Sequence, residues 1–390
     1  MAHETLTSSL VDAVRHLAPS LAERAPSSEA HRRVDDRSIA EMTDAGLFRI
    51  LTPTTHGGLE AGLGAQVETL FVVAAADPAA GWVQMVSNSH AFVVASFSRE
   101  CREAVYGGPD VIPGTLSPQG RSRRVDDGWV VDGRWQFASG VDHGQWLMLG
   151  TMTERTATND VPGVHVLVPM DGVIVDDTWH VLGLRGTGSK DVVAEELFVP
   201  DAFAVPTPTL FGGHSPHGED HDTRLSRLSV TVSLSTQLAA AVVGIGDAAF
   251  DAYQERTRVR REIVGDFTKA SRVGPQLRIS ESRAELDVAR GLVRAAAERG
   301  DRVGATGDRL RRNERAELRF LAAYAVELVR RAVDRLYTAS GAHGVYDDSL
   351  LQARYRDVNT ACHHAMVDFD NLRENYGRVL LGFDPLPHLL

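Results

Sequence analysis

Cysteine is scarce: Cys101 and Cys362 are the only two thiols in 390 residues. Two thiols so far apart make neither a four-ligand zinc site nor a disulfide framework, and they suit buried positions in a reduced, cytoplasmic protein. Positive charge is also in deficit. The 41 Lys plus Arg against 52 Asp plus Glu leave a net charge of −11, which excludes a basic nucleic-acid-binding domain. The opening Met1-Ala2-His3-Glu4 lacks a basic-then-apolar leader, and no later run reads as the roughly 20 apolar residues that span a bilayer, so no membrane partner is expected. Missing too are a Gly-x-x-x-x-Gly-Lys-Ser/Thr phosphate loop, a Gly-x-Ser-x-Gly elbow, a His-Glu-x-x-His helix and any Glu-x-x-His pair, which removes nucleotide hydrolysis, serine hydrolysis, zinc proteolysis and ferritin-type di-iron chemistry.

What is present changes period twice. Apolar residues recur at helical spacing in Ile39, Met42 and Leu47 and again in Val67, Leu70, Phe71 and Ala74, with Asp35 and Asp36 as caps. From about residue 110 the period becomes two. Trp129-Val130-Val131 and Trp135-Gln136-Phe137 flank Asp132-Gly133, read as a hairpin turn, and further strands are expected at Trp146 to Thr151, Val164 to Val168, Val173 to Asp176 and Val192 to Val199. After a polar stretch, long helical segments follow at about 228–261, 270–299, 311–340 and 350–381, enough to close a bundle. The expected fold is α+β, mostly α: an N-terminal helical domain (1–108), a central β domain that is barrel-like (109–205), a linker or lid loop (206–227) and a C-terminal four-helix bundle (228–390). Strands and helices do not alternate, which disfavours a doubly wound sheet. Gly244-Ile245-Gly246 therefore reads as a helix that lets a neighbour approach, rather than as a dinucleotide fingerprint. His214, His217 and His221 in the linker read as part of a lid over a pocket and not as a metal site; no metal is expected anywhere.

Five segments, in order and spacing, carry a resemblance that covers nearly the whole chain. They are Ala45-Gly46-Leu47-Phe48-Arg49 with Thr55-His56-Gly57-Gly58; Ala76-Asp77-Pro78-Ala79-Ala80-Gly81-Trp82; Trp135-Gln136-Phe137-Ala138-Ser139-Gly140-Val141-Asp142-His143; Leu182-Gly183-Leu184-Arg185-Gly186-Thr187-Gly188-Ser189; and Arg356-Asp357-Val358 with His364. The chain resembles the acyl-CoA dehydrogenase fold, and within it the branch of flavin-dependent monooxygenases. The dehydrogenases carry a base glutamate near the C-terminus, where this chain has His364-Ala365-Met366-Val367-Asp368-Phe369-Asp370. An Arg common in the branch is replaced by Ala353.

The resemblance implies the oxygenase component of a two-component system. Reduced FMN or FAD, supplied by a separate flavin reductase, meets O2 and forms a flavin hydroperoxide that hydroxylates a phenolic or polycyclic aromatic substrate, polyketide-type compounds included. An acyl-CoA dehydrogenase with a non-standard base, an N- or S-oxygenase of the same branch and a silent scaffold stay open beside it. The resemblance also implies a homotetramer.

Candidate residues follow. Trp135, Phe137, Ser139 and Gly140 are expected at the flavin ring, with Trp135 and Phe137 on one strand face, and Ser189, with Arg185, Thr187 and Lys190, forms a polar turn expected to meet the flavin pyrophosphate or the substrate entrance. Arg256, in a basic run with Arg258, Arg260 and Arg261, and Gln276 match positions that approach the flavin phosphates, often across a subunit boundary. His364 is the foremost catalytic candidate. A helix through this region places Asp357, Ala361, His364 and Asp368 on one stripe, where a carboxylate would fix the imidazole. His143 joins it at the oxygen-transfer site, and His90, Trp82 and His363 are assigned to the substrate side, with His363 able to exchange roles with His364.

Overall fold

The computed structural model describes residues 2–154, 161–212, 225–261 and 267–389. The histidines of the linker lie outside the described residues.

Helix α1 (Ala2–His31) is followed by α2 (Asp36–Asp44), which begins where the Asp35 carboxylate accepts the Arg37 N–H, a standard N-cap. Helix α3 (Gly62–Ala76) is capped from the far end of the chain: both Asp301 carboxylate oxygens accept its first N–H groups, from Leu63 at 2.8 Å and Gly64 at 2.9 Å. Asp77 ends α3 and caps α4 (Pro78–Val94) through Ala79 and Ala80, with Pro78 in the first turn. Helix α5 (Arg99–Tyr106) closes this first group.

Seven strands follow: β1 (Gly114–Val125), β2 (Gly128–Ala138), β3 (Trp146–Thr153), β4 (Gly163–Pro169), β5 (Ile174–Asp176), β6 (Lys190–Pro200) and β7 (Ala204–Pro206). They form one sheet in the order β5-β6-β2-β1-β3-β4-β7, antiparallel except for β1 against β3. The sheet wraps its own core of Trp129, Val131, Trp135, Leu149, Val166 and Val192.

Two sequence expectations are corrected here. Asp132-Gly133 is not a turn. Strand β2 runs straight through it, with a register shift between Val131 and Gly133, and the reversal falls at Asp126-Asp127, where Asp127 takes φ +59°. Both features need positive φ, and Gly133 (φ +146°) instead supplies a bulge over Gly120, whose Cα would lie 2.9 Å from any Cβ at 133. Nor do Trp135 and Phe137 share a face. A second register shift, between Trp135 and Ala138, puts Phe137 at φ +67° and turns its ring outward, 58% exposed, while Trp135 is fully buried.

After α6 (Thr207–Gly212), the bundle comprises α7 (Val230–Val259), α8 (Val273–Thr306), α9 (Arg312–Ala339), α10 (Leu350–Ala361) and α11 (Phe369–Leu380). The last expected helix is thus two, broken at Cys362–Asp368. Helix α7 is the axis, packed by α3, α4, α8, α9 and α10. It is long and apolar enough to cross a membrane, where the sequence reading found no such run, but its apolar window is 83% buried inside the bundle. Gly244 and Gly246 lie within it as expected. A Cβ on Gly244 would stand 2.7 Å from Phe71 O of α3, and one on Gly246 2.5 Å from Val329 of α9.

Candidate active site

The C-terminal end of β2, the turn at residues 184–189, the middle of α4 and the break between α10 and α11 converge on Trp82. Its indole N–H donates to Ser139 Oγ at 3.2 Å, and its ring meets His364 edge to face. Ser139 Oγ lies 2.7 Å from Ser189 Oγ, which lies 2.6 Å from Thr187 Oγ1, and Thr187 donates to the Leu184 carbonyl at 2.9 Å. Gly140 (φ +76°) donates its N–H to Thr187 O and leaves no room for a side chain against Val83. Ser139, Gly140, Ser189, Trp82 and His364 thus form one contiguous group.

The stripe expected for His364 does not form, because α10 ends at Ala361. His364 instead begins a short 3-10 turn, Ala365–Val367, and its Nδ1 accepts the Met366 N–H at 3.1 Å. The Ser235 hydroxyl of α7 lies 2.9 Å from Met366 O of that turn and equally from Thr231 O of its own helix, between which it shares its proton. His364 is exposed at the surface of the turn, although protein packed around it desolvates the imidazole and lowers its pKa to about 4. Neutral at pH 7 with Nδ1 occupied as an acceptor, it carries its proton on Nε2 and is a hydrogen-bond donor. His363 is exposed as well, and the ring contact with Trp82 is made by His364.

Asp357 does not reach His364. It is buried, and its carboxylate accepts the Leu184 N–H at 2.7 Å and pairs with Arg354 at 3.4 Å. Burial raises its pKa, opposed by the Arg354 charge. Its role is to hold the turn that carries Thr187 and Ser189, with Leu184 in the left-handed region at φ +53°.

His90 takes the opposite tautomer from His364. Its Nδ1 is 2.8 Å from Ile112 O, which can only accept, so Nδ1 carries the proton and Nε2 is an acceptor; burial pushes its pKa down to about 4. Ser89 beside it has a buried hydroxyl with no hydrogen-bond partner and lies two helical turns from Trp82, on the same face of α4. Sequence reasoning passed over Ser89; its spacing of seven from Trp82 was the available signal. His143 packs elsewhere. Its Nδ1 is 3.6 Å from Asp36 Oδ1, its Nε2 is buried without a partner, and desolvation followed by the Arg33 charge lowers its pKa.

Trp135 is a core residue of the sheet, its indole N–H donating to Gly150 O at 2.6 Å. Phe137 stands edge-on to Trp179, centroids 6.0 Å apart, at the outer end of β2. Arg256 and Gln276 are remote within the chain. Twenty-one residues of α7 separate Arg256 from Ser235, about 30 Å at 1.5 Å per residue. Arg256 is half-buried in a cleft of about 490 Å³ with His343, Tyr346, Asp348 and Ser349, and Gln276 is exposed, donating to Ala270 O.

The segment 364–370 holds no glutamate, and its two carboxylates are engaged elsewhere. Asp368 caps α11 by accepting the Asn371 N–H, and Asp370 pairs with Arg373 on the surface. The donor set fits a flavin on three observations: an orphaned buried hydroxyl (Ser89), an exposed aromatic wall (Phe137) and a desolvated histidine donor (His364).

A helical bundle packed on this sheet defines the class as an acyl-CoA dehydrogenase fold. The family model described as "Acyl-CoA dehydrogenase, C-terminal domain" matches residues 236–369. The chain is 30% identical over 365 residues to the flavin-dependent monooxygenase oxygenase subunit HsaA of Rhodococcus jostii, covering 93% of this chain and 95% of that one. It is 29% identical over 388 residues to the FADH(2)-dependent resorcinol hydroxylase oxygenase component of a Rhizobium species, covering 96% and 95%. The solved structure of XiaF from Streptomyces in complex with FADH2 and glycerol superposes with a TM-score of 0.91 at 27% identity, over 99% of this chain and 98% of that one. The chain belongs to the flavin-dependent monooxygenase oxygenase subunits, enzymes that use reduced flavin.

Proposed function

We propose that the protein hydroxylates a phenolic or polycyclic aromatic compound in the cytoplasm, with reduced flavin delivered by a separate reductase. The observation that carries this is a pair of histidines whose backbone partners set opposite tautomers: a donor at His364, in contact with Trp82, and an acceptor at His90 on the same helix as Trp82. A bound reduced flavin supplies the two electrons that activate dioxygen. The chain's own residues do the rest. Ser139 and Phe137 meet the ring, and His364 Nε2–H donates to developing negative charge on oxygen. His90 Nε2 accepts the substrate hydroxyl proton, an acceptor role that a phenol matches and a hydrocarbon does not. Ser89 offers a second hydroxyl to the guest.

Arg256 and Gln276 serve the phosphate end of a flavin held by a neighbouring subunit, since about 30 Å of helix separates Arg256 from the chain's own His364 turn. This requires a homo-oligomer, for which we propose a tetramer.

Purified protein given anaerobically reduced flavin, a panel of phenols and isotopically labelled dioxygen is expected to place one labelled oxygen atom in a product. Flavin that co-purifies tightly and bleaches with an acyl-CoA in the absence of oxygen would instead establish dehydrogenation.

A further inference from the structure

Arg354 of α10 stands beneath both arms of the site. It is buried and pairs with Asp357 at 3.4 Å, and Asp357 accepts the Leu184 N–H at the head of the turn that carries Thr187 and Ser189. On its other side the guanidinium donates to Ala76 O at 3.3 Å, in the last residue of α3, where a cation suits the negative end of a helix. Asp77 follows at once, buried, and caps α4, the helix of Trp82, Ser89 and His90. The Arg354 charge acts on this carboxylate too, opposing the rise in pKa that burial causes. One cation thus serves two buried carboxylates, and each carboxylate anchors one arm.

The arms meet without slack. A Cβ on Gly186 would stand 2.9 Å from Ala79 Cβ, in the first turn of α4, and 3.0 Å from the Ser28 carbonyl carbon of α1. Three residues beyond Ala79, Trp82 donates to Ser139 Oγ; three beyond Gly186, Ser189 Oγ lies 2.7 Å from the same oxygen. A slide of the turn along α4 therefore displaces Ser189 and Trp82 relative to each other at Ser139. Stability alone does not account for the guanidinium. Its Nε is buried with no partner, and a buried ion pair can often be exchanged for neutral side chains without loss.

We propose that Arg354 is a positioning residue: it sets the register between the helix bearing Trp82 and His90 and the turn bearing Thr187 and Ser189. That register decides the share of consumed dioxygen that ends in hydroxylated product rather than in peroxide. The inference rests on the proposed hydroxylation and on Ser139 standing at the flavin.

The test compares the full-length native protein with Arg354→Met, Arg354→Lys and the neutral pair Arg354→Met with Asp357→Asn. Each is measured for its urea midpoint, for anaerobic binding of photoreduced FMN and FAD, and for product against hydrogen peroxide with a panel of phenols. The neutral pair keeps an acceptor for Leu184 and removes both charges of the ion pair, so its midpoint should stay near native. It carries the test should Arg354→Met alone not fold. Its ratio of product to peroxide is nevertheless expected to fall about tenfold, within the roughly 100-fold that a 1 Å misplacement can cost. Arg354→Lys, which keeps the charge, should recover part of that ratio. A neutral pair with a native ratio overturns the proposal and leaves the functional reading intact. A ratio that merely tracks the urea midpoint across the variants overturns it as well, because Arg354 is then packing alone. A native protein that binds no reduced flavin overturns the functional reading and this inference together.

Discussion

The rings of Trp82 and His364 meet edge to face, with centroids 5.8 Å apart and 62° between their planes. The contact spans 282 positions of the chain and joins α4 to the break between α10 and α11. Together with the Met366 N–H, which holds Nδ1, it fixes the orientation of the imidazole.

His364→Ala removes the Nε2–H donor. Hydroxylated product per reduced flavin is expected to fall about 100-fold, the usual cost of one lost donor to developing charge, with hydrogen peroxide released in its place. His364→Gln, which retains an N–H, should recover part of the yield. Product and peroxide measured in the same reaction check this; unchanged yield in the alanine variant would remove His364 from the chemistry.

Asp357→Ala leaves both Leu184 N–H and the Arg354 guanidinium without their partner in a buried site. A loss of about 3–5 kcal/mol is expected, the cost of breaking a buried ion pair from one side. Asp357→Asn keeps an acceptor for Leu184 and should lose less. Urea unfolding midpoints at pH 7 give the comparison.

His90 and His165 are both buried, and desolvation pushes each pKa down to about 4 from 6.5. The folded state binds these protons less readily than the unfolded one. Stability from this source is therefore complete above about pH 6.5 and declines as pH falls toward 4. Asp77 and Asp357, whose pKa values are raised chiefly by burial, pull in the opposite direction. The urea midpoint should drop between pH 7 and pH 5. His165→Asn, which removes one titrating ring, should flatten the slope; an unchanged slope would mean that His165 does not contribute.

Two glycines in helices should respond oppositely to alanine. At Gly377 of α11 a Cβ meets nothing within 4 Å, and Gly377→Ala is expected to stabilise by about 0.5–1 kcal/mol through helix propensity. At Gly244 the same methyl group collides with Phe71 O, and a net loss of about 1–2 kcal/mol is expected after the propensity gain is subtracted. Paired denaturation curves decide.

Local signals were legible in the sequence. The Asp35 cap, the strand at β3 and the glycine-bearing α7 each depend on residues within a turn or two of one another. Asp132-Gly133 misled because a bulge and a hairpin demand the same backbone angle, and only the partner strand distinguishes them. The site was legible in part. Ser139 and His364 stood out as residue types beside motifs. The roles of Asp357 and Trp82 depend on partners 173 and 57 positions away, Leu184 and Ser139, and no periodicity encodes such pairings. The end of α10 at Ala361 was hidden because Cys362, His363 and His364 contain neither Gly nor Pro to mark it.

Helix α7 is joined to α3 through Gln66 and Gln237, whose side chains bond at 3.1 Å although they lie 171 positions apart. During synthesis the early helices therefore leave the ribosome without their central partner, and the whole sheet is made before that partner arrives. When α7 does emerge, it is an apolar rod that needs α8 and α9 to cover it. The nascent chain must pass through a stage with its stickiest surface bare, and its yield in a cell depends on how well chaperones guard that interval.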